Sequence, residues 1–145
     1  MMRYIALLRG INVGGHTVKM DQLRRHFADL GLAGVRSYIQ TGNLFFDSDE
    51  TDRAALRRRI EDHLHGALGF AVPTCLRTVP ELAALMARDP FAGIAVTPEM
   101  RLSVTFLAEP VALDLPVPSK TPKGDFELIG KTDGELFVVW HLVNG

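Results

Sequence analysis

The sequence predicts an α+β fold with an antiparallel-rich sheet, and three observations carry that prediction. Segments with apolar residues at helical spacing alternate with short runs that are apolar throughout or at every second position. The first half runs strand, helix, strand, strand, helix, strand. Two tight-turn signals, Thr41-Gly42-Asn43 and Thr132-Asp133-Gly134, each join neighbouring strands. The order of the first half is that of the split βαβ, or ferredoxin-like, α/β plait, an antiparallel sheet with two helices on one face. The second half opens as another plait but stops right after a strand, so a second, incomplete α/β plait is expected, truncated and packed on the first. The expected boundaries are residues 1–78 and 79–145.

Each element has its own local reason. RYIALLR, residues 3–9, is apolar on both faces, as a central strand should be. Met20, Leu23, Phe27 and Leu30 recur at helical spacing until Gly31 stops them, giving a helix over 20–31. VRSYIQ, residues 35–40, alternates and turns into NLFFD, residues 43–47. Leu56, Ile60 and Leu64 stripe a second helix over about 50–68, with Gly66 and Gly69 near its end. Residues 70–77 form another strand. Thr78-Val79-Pro80-Glu81 then offers an N-cap, a first-turn proline and a capping-box acid ahead of Leu82, Leu85 and Met86, so a third helix is expected over 79–89. Strands follow at 102–107, 125–130 and 135–142, with a proline-rich loop from Pro110 to Pro122 and no decided structure over 91–101.

Composition narrows the function classes. A chain of 145 residues, 47% hydrophobic and 23% charged, has the profile of an ordinary globular protein. A formal charge of −1 gives no electrostatic argument for nucleic acid or an anionic membrane. Arg57, Arg58 and Arg59 cluster, but Glu61 and Asp62 share their helix, which reads as a solvated face. No apolar run approaches the roughly 18 residues that span a bilayer, so no membrane partner is expected. A single cysteine, Cys75, excludes an internal disulfide and fits a reducing compartment, with the cytoplasm as the default.

The most informative stretch is LLRGINVGGHTVKM, residues 7–20. Within it GINVGGHT, residues 10–17, is one residue away from a phosphate-binding P-loop. His16 stands where that motif needs lysine, and helical periodicity begins only at Met20, too late for the helix amides to meet a phosphate inside the loop. A P-loop nucleoside triphosphatase is therefore rejected. A weaker anion-binding nest of Arg9, the glycine-rich backbone and Lys19 remains open. Its competitor is a plain turn in which Gly10, Gly14 and Gly15 permit positive φ.

No other constellation carries chemistry. His63 and His65 lie two apart on a helix and point in different directions, and no Cys/His pair has zinc-ligand spacing. On that basis no metal and no cofactor is expected, and no catalytic group can be named. Cys75 reads as a half-buried structural thiol, on the strand face of Arg77 and opposite Leu76. Tyr38 and Phe45 could stack bases as RNA-recognition sheets do, but the arginine-glycine-aromatic signature of the third strand is missing, so nucleic acid is not the expected partner.

The succession YIALLRGINVGG, Met20-x-x-Leu23, VRSYIQTGNLFF, then a helix and the strand FAVP, resembles the bacterial domain of unknown function 1697 family. Its members begin with a LRGINVGG stretch and continue to a YIQ-S/T-GN stretch. The resemblance is specific over the first 47 residues and looser around Pro122 to Gly124. It implies a fold built on ferredoxin-like units and no established reaction. Family members continue into a segment rich in threonine, arginine, asparagine and tryptophan that this chain lacks, which is the ground for expecting truncation. Matching the motif positions nominates Arg9, Gly10, Asn12, Gly14, Gly15, Tyr38, Gln40, Gly42 and Asn43 as ligand-binding residues. If the first strand pairs antiparallel with the third, Arg9 and Asn43 meet at one end of the sheet. Two classes stay open: a small-molecule or anion-binding protein, enzymatic or not, with a small anionic ligand, and a non-catalytic interaction module that self-associates as a homodimer.

Overall fold

The computed structural model describes residues 1–11, 15, 17–38, 42–108, 117–122 and 124–141, with the backbone alone at Tyr38. Among them, eight strands and three helices form a mixed α+β protein with two antiparallel four-stranded sheets. The chain divides into two compact units, Met1–Ala83 and Ala84–Gly145.

The first unit is built around β1 (Met2–Leu8), which pairs on one edge with β3 (Asn43–Ser48) and on the other with β4 (Thr74–Thr78). With β2 (Ala33–Tyr38) outside β3, the sheet order is β2-β3-β1-β4. Register puts Tyr4 opposite Phe46 and Thr78, and Ala6 opposite Leu44 and Leu76. That face meets the apolar stripes of α1 (Met20–Asp29) and α2 (Arg53–Leu68), so Leu23, Phe27, Leu56, Ile60 and Leu64 complete one core. Phe46 stands at its centre, stacked on Tyr4 with centroids 5.5 Å apart and tilted against Phe27 at 5.7 Å. On the opposite face Ile5, Cys75 and Arg77 are buried as well.

Helix boundaries follow the capping chemistry. α1 gives way at Leu30 and Gly31, whose amides donate to Phe27 and Ala28, so it ends two residues before the expected position. α2 starts at Arg53 rather than near 50, because the Asp52 carboxylate accepts the Ala55 amide and caps it there. It closes on Gly69, in the left-handed region with φ 83°. The strand expected over 70–77 is shorter: β4 begins only after Pro73, which has no amide to give a ladder.

Thr78 and Glu81 form the expected capping box at the start of α3 (Val79–Ala87): the Glu81 amide donates to Thr78 Oγ1 at 3.2 Å and the Thr78 amide to Glu81 Oε1 at 2.8 Å. Arg53 grips the same carboxylate with both terminal nitrogens, at 3.0 and 2.5 Å. The apolar stripe expected of α3 is not buried, and Met86 is 80% exposed.

The sheet of the second unit has the order β5-β8-β7-β6. β5 (Met100–Phe106), β7 (Phe126–Lys131) and β8 (Glu135–His141) match expectation to within two residues, and the start of β5 takes up part of the undecided stretch. β6 (Ser119–Lys120) was hidden inside the expected proline-rich loop. The β7–β8 hairpin turns as predicted, with Thr132 Oγ1 accepting the Gly134 and Glu135 amides at 3.2 and 2.9 Å.

Burial pushes the Glu81 pKa up, but the hydrogen bonds from Arg53 and the Thr78 backbone and the Arg53 charge outweigh it and hold the carboxyl below its ordinary value of 4.5. A depressed folded-state pKa stabilises the fold above the unfolded value and loses that contribution as pH falls through the folded value. Both partners are over a third exposed, so Glu81→Gln is expected to cost only about 0.5–1 kcal/mol at neutral pH. In urea unfolding, the gap between wild type and Glu81→Gln should narrow as pH drops below about 4.5.

Candidate functional site

The residues nominated from the two motifs are positioned by the end of β1 and the start of β3. The register sets Leu7 opposite Asn43, and the Leu8 amide donates to the Gly42 carbonyl at 3.0 Å. One residue on, the Arg9 amide donates to the Pro73 carbonyl at 3.0 Å, while the residue itself is exposed. Arg9 and Gly10 therefore leave the sheet directly beside Gly42 and Asn43. Tyr38 is the register partner of Asn43 from the other side. Backbone pairing thus gathers Arg9, Gly10, Tyr38, Gly42 and Asn43 at one sheet end. Gly15 lies further along the loop, exposed with φ 85°, and Asn12, Gly14 and Gln40 lie outside the described residues.

The glycines do not all serve the same purpose. Gly42 is buried, has φ 76°, and a Cβ there would sit 3.2 Å from the Leu8 carbonyl oxygen and 3.6 Å from Ile11 Cβ. It lets the incoming strand press against β1. Gly10, with φ 78°, has open space where a Cβ would go. Ile11 and Val18 are both buried, anchoring the loop on either side of its central residues. The Arg9 amide is committed to the Pro73 carbonyl.

A second cluster lies between the helices of the same unit. His26 and Asp29 are three apart in the last turn of α1, hence on one face. His63 of α2 meets His26 edge-on with ring centroids 5.4 Å apart. One candidate ligand atom from each of His26, Asp29 and His63 lies within 4.8 Å of the others. The His63 Nε2 atom is buried and has no hydrogen-bond partner. Sequence reasoning missed this group because it compared His63 with His65 on one helix. The available signal was that His26 and His63 each follow a buried stripe residue, Leu23 and Ile60, by three positions, and so flank the two stripes that face one core.

Cys75 is buried, on the face of Arg77 as the strand parity predicted, and the Arg77 guanidinium donates to its sulfur at 3.1 Å. Among the described residues, no helix is long and apolar enough to cross a membrane.

A two-unit α+β chain with a glycine-rich stretch after its central strand is the class these features define. The family model described as protein of unknown function (DUF1697) matches residues 1–137, and the chain belongs to that family. It is also similar to a solved structure, that of the conserved bacterial protein SP0830 from Streptococcus pneumoniae, at 29% identity and a TM-score of 0.70, over 97% of this chain and 76% of that one. A comparison with curated proteins gives no match.

Gly42→Ala should destabilise the protein by about 1–3 kcal/mol, adding a tight backbone contact to the cost of a left-handed alanine. Gly10→Ala carries the second cost alone and should lose about 1 kcal/mol. Urea unfolding of the two variants beside wild type checks the order, and equal losses would contradict the packing role of Gly42.

Proposed function

We propose that the protein binds a small phosphate-type anion at the sheet end where the LRGINVGG and YIQTGN stretches meet, on a first unit that is a ferredoxin-like plait. The observation that carries this reading is the pairing of Leu7 with Asn43 and of the Leu8 amide with the Gly42 carbonyl, which sets the exposed Arg9 beside the second motif. A guanidinium next to a glycine-rich backbone is a chemistry suited to planar or tetrahedral oxyanions. The loop then leads into α1, whose N-cap residue Lys19 adds a second exposed cation and makes no side-chain cap. The order β2-β3-β1-β4 over a strand-helix-strand-strand-helix-strand chain supports the plait. The second unit, into which α3 crosses at Ala84 ahead of four antiparallel strands, is read as part of a second plait. No reaction is assigned.

A second reading, self-association, is favoured by the apolar side chains exposed around the second unit: Met86 at 80%, Val96 at 60% and Trp140 at 45%. Its sheet also ends on a seven-residue edge strand, β5. Base stacking on the first sheet is disfavoured, because Ile5, Cys75 and Arg77 on the face of Phe45 are buried.

A thermal-shift screen of inorganic phosphate, sulfate, sugar phosphates and nucleotides tests the first reading. A ligand at about 100 times its Kd adds close to 3 kcal/mol of stability by mass action, a readily measured rise in melting temperature. Arg9→Ala should abolish the shift and leave the unliganded melting temperature nearly unchanged. If no anion stabilises the wild type selectively, the loop is a turn and nothing more. Light scattering across a concentration series addresses the second reading, which a strict monomer contradicts.

A further inference from the structure

The seam between α1 and α2 holds a donor set that neither the family description nor the anion reading uses. We propose that His26, Asp29 and His63 form a site for a divalent first-row transition ion of the zinc class. Two imidazoles and one carboxylate are a donor set such ions favour, since imidazole suits zinc, nickel, copper and iron and a carboxylate supplies charge. The three donor atoms lie within 4.8 Å of one another. Metal–ligand bonds are about 2.0–2.2 Å, so bound donors sit closer than this, and the cluster must draw in by about 1 Å. Asp29 is exposed at the last position of α1, which leaves its carboxylate room to make that movement.

Three further features point the same way. His63 Nε2 is buried without a partner, although buried polar atoms are normally satisfied, and a bound ion is one means of satisfying an imidazole nitrogen. The last turn of α1 carries the negative end of the helix dipole, which favours a cation. Arg59, one helical turn before His63, donates to the Leu30 carbonyl at 2.9 Å and so ties α2 to the end of α1. Three protein ligands leave at least one coordination position for water. The inference departs from the expectation of no metal, which rested on spacing along the chain and could not see ligands drawn from two helices.

The test uses the untagged full chain, stripped with chelator and dialysed. Zinc chloride is titrated against a chromophoric competitor, and cobalt chloride is followed by its visible absorption. One equivalent bound, with a raised melting temperature, is the expected result. His26→Ala and His63→Ala should each lose that equivalent, and Asp29→Asn, an exposed position safe for folding, should weaken it by at least about tenfold. His65→Ala, exposed on the other side of α2, should bind as the wild type does. Failure of the wild type to bind zinc or cobalt overturns the proposal. So does binding that survives Asp29→Asn and both histidine variants, which would place the ion elsewhere on the chain.

Discussion

The first unit depends on β1 being paired along both edges at once. An antiparallel strand between β3 and β4 has its backbone groups committed on two sides, so its register cannot slip without exchanging its two faces. Tyr4, Ala6 and Leu8 then lie under the helices, and Ile5 and Leu7 lie on the reverse face. The same constraint fixes where the chain leaves the sheet. Once Leu8 donates to Gly42 and Arg9 to Pro73, the glycine-rich loop can only begin beside the turn into β3. The exit of Arg9 beside Gly42 is thus a consequence of pairing, fixed by backbone hydrogen bonds.

Much of the first unit was legible because each element carried both a period and a stop. Leu23 and Phe27 mark a helix that Gly31 ends; Leu56, Ile60 and Leu64 mark one that Gly69 ends; Thr78 and Glu81 announce a box that forms with both hydrogen bonds. Errors arose where a local rule competed with the pattern. Phe70 and Val72 look like strand residues, yet Pro73 delays the ladder to Thr74, and Val72 is buried in the core from a connection instead. Ser119-Lys120 is a strand only because Leu128 and Glu127 are there to pair with it, which no window around the prolines reveals. The stripe of α3 shows the limit of periodicity in the other direction: Leu82, Leu85 and Met86 have helical spacing, and none is buried.

The candidate sites differ in the same way. The glycine motif is contiguous in sequence, so its residues could be named directly, and the register of β1 with β3 adds the second stretch from one pairing assumption. The helix seam joins residues 34 to 37 positions apart, and each of its histidines, taken alone on its own helix, is an ordinary side chain flanking an apolar stripe. Only the packing of α1 beside α2 converts them into neighbours.

The metal candidate depends on the end of α1 and on what holds that end in place. His26 and Asp29 occupy the last turn of α1, about 9–14 Å along the axis from its first residue, Met20. The dipole acts only within the first and last turns of a helix, so its favourable effect on a cation belongs to this end alone. The Arg59 contact to the Leu30 carbonyl ties α2 to the same end, and it is this seam that brings His63 to His26 and Asp29.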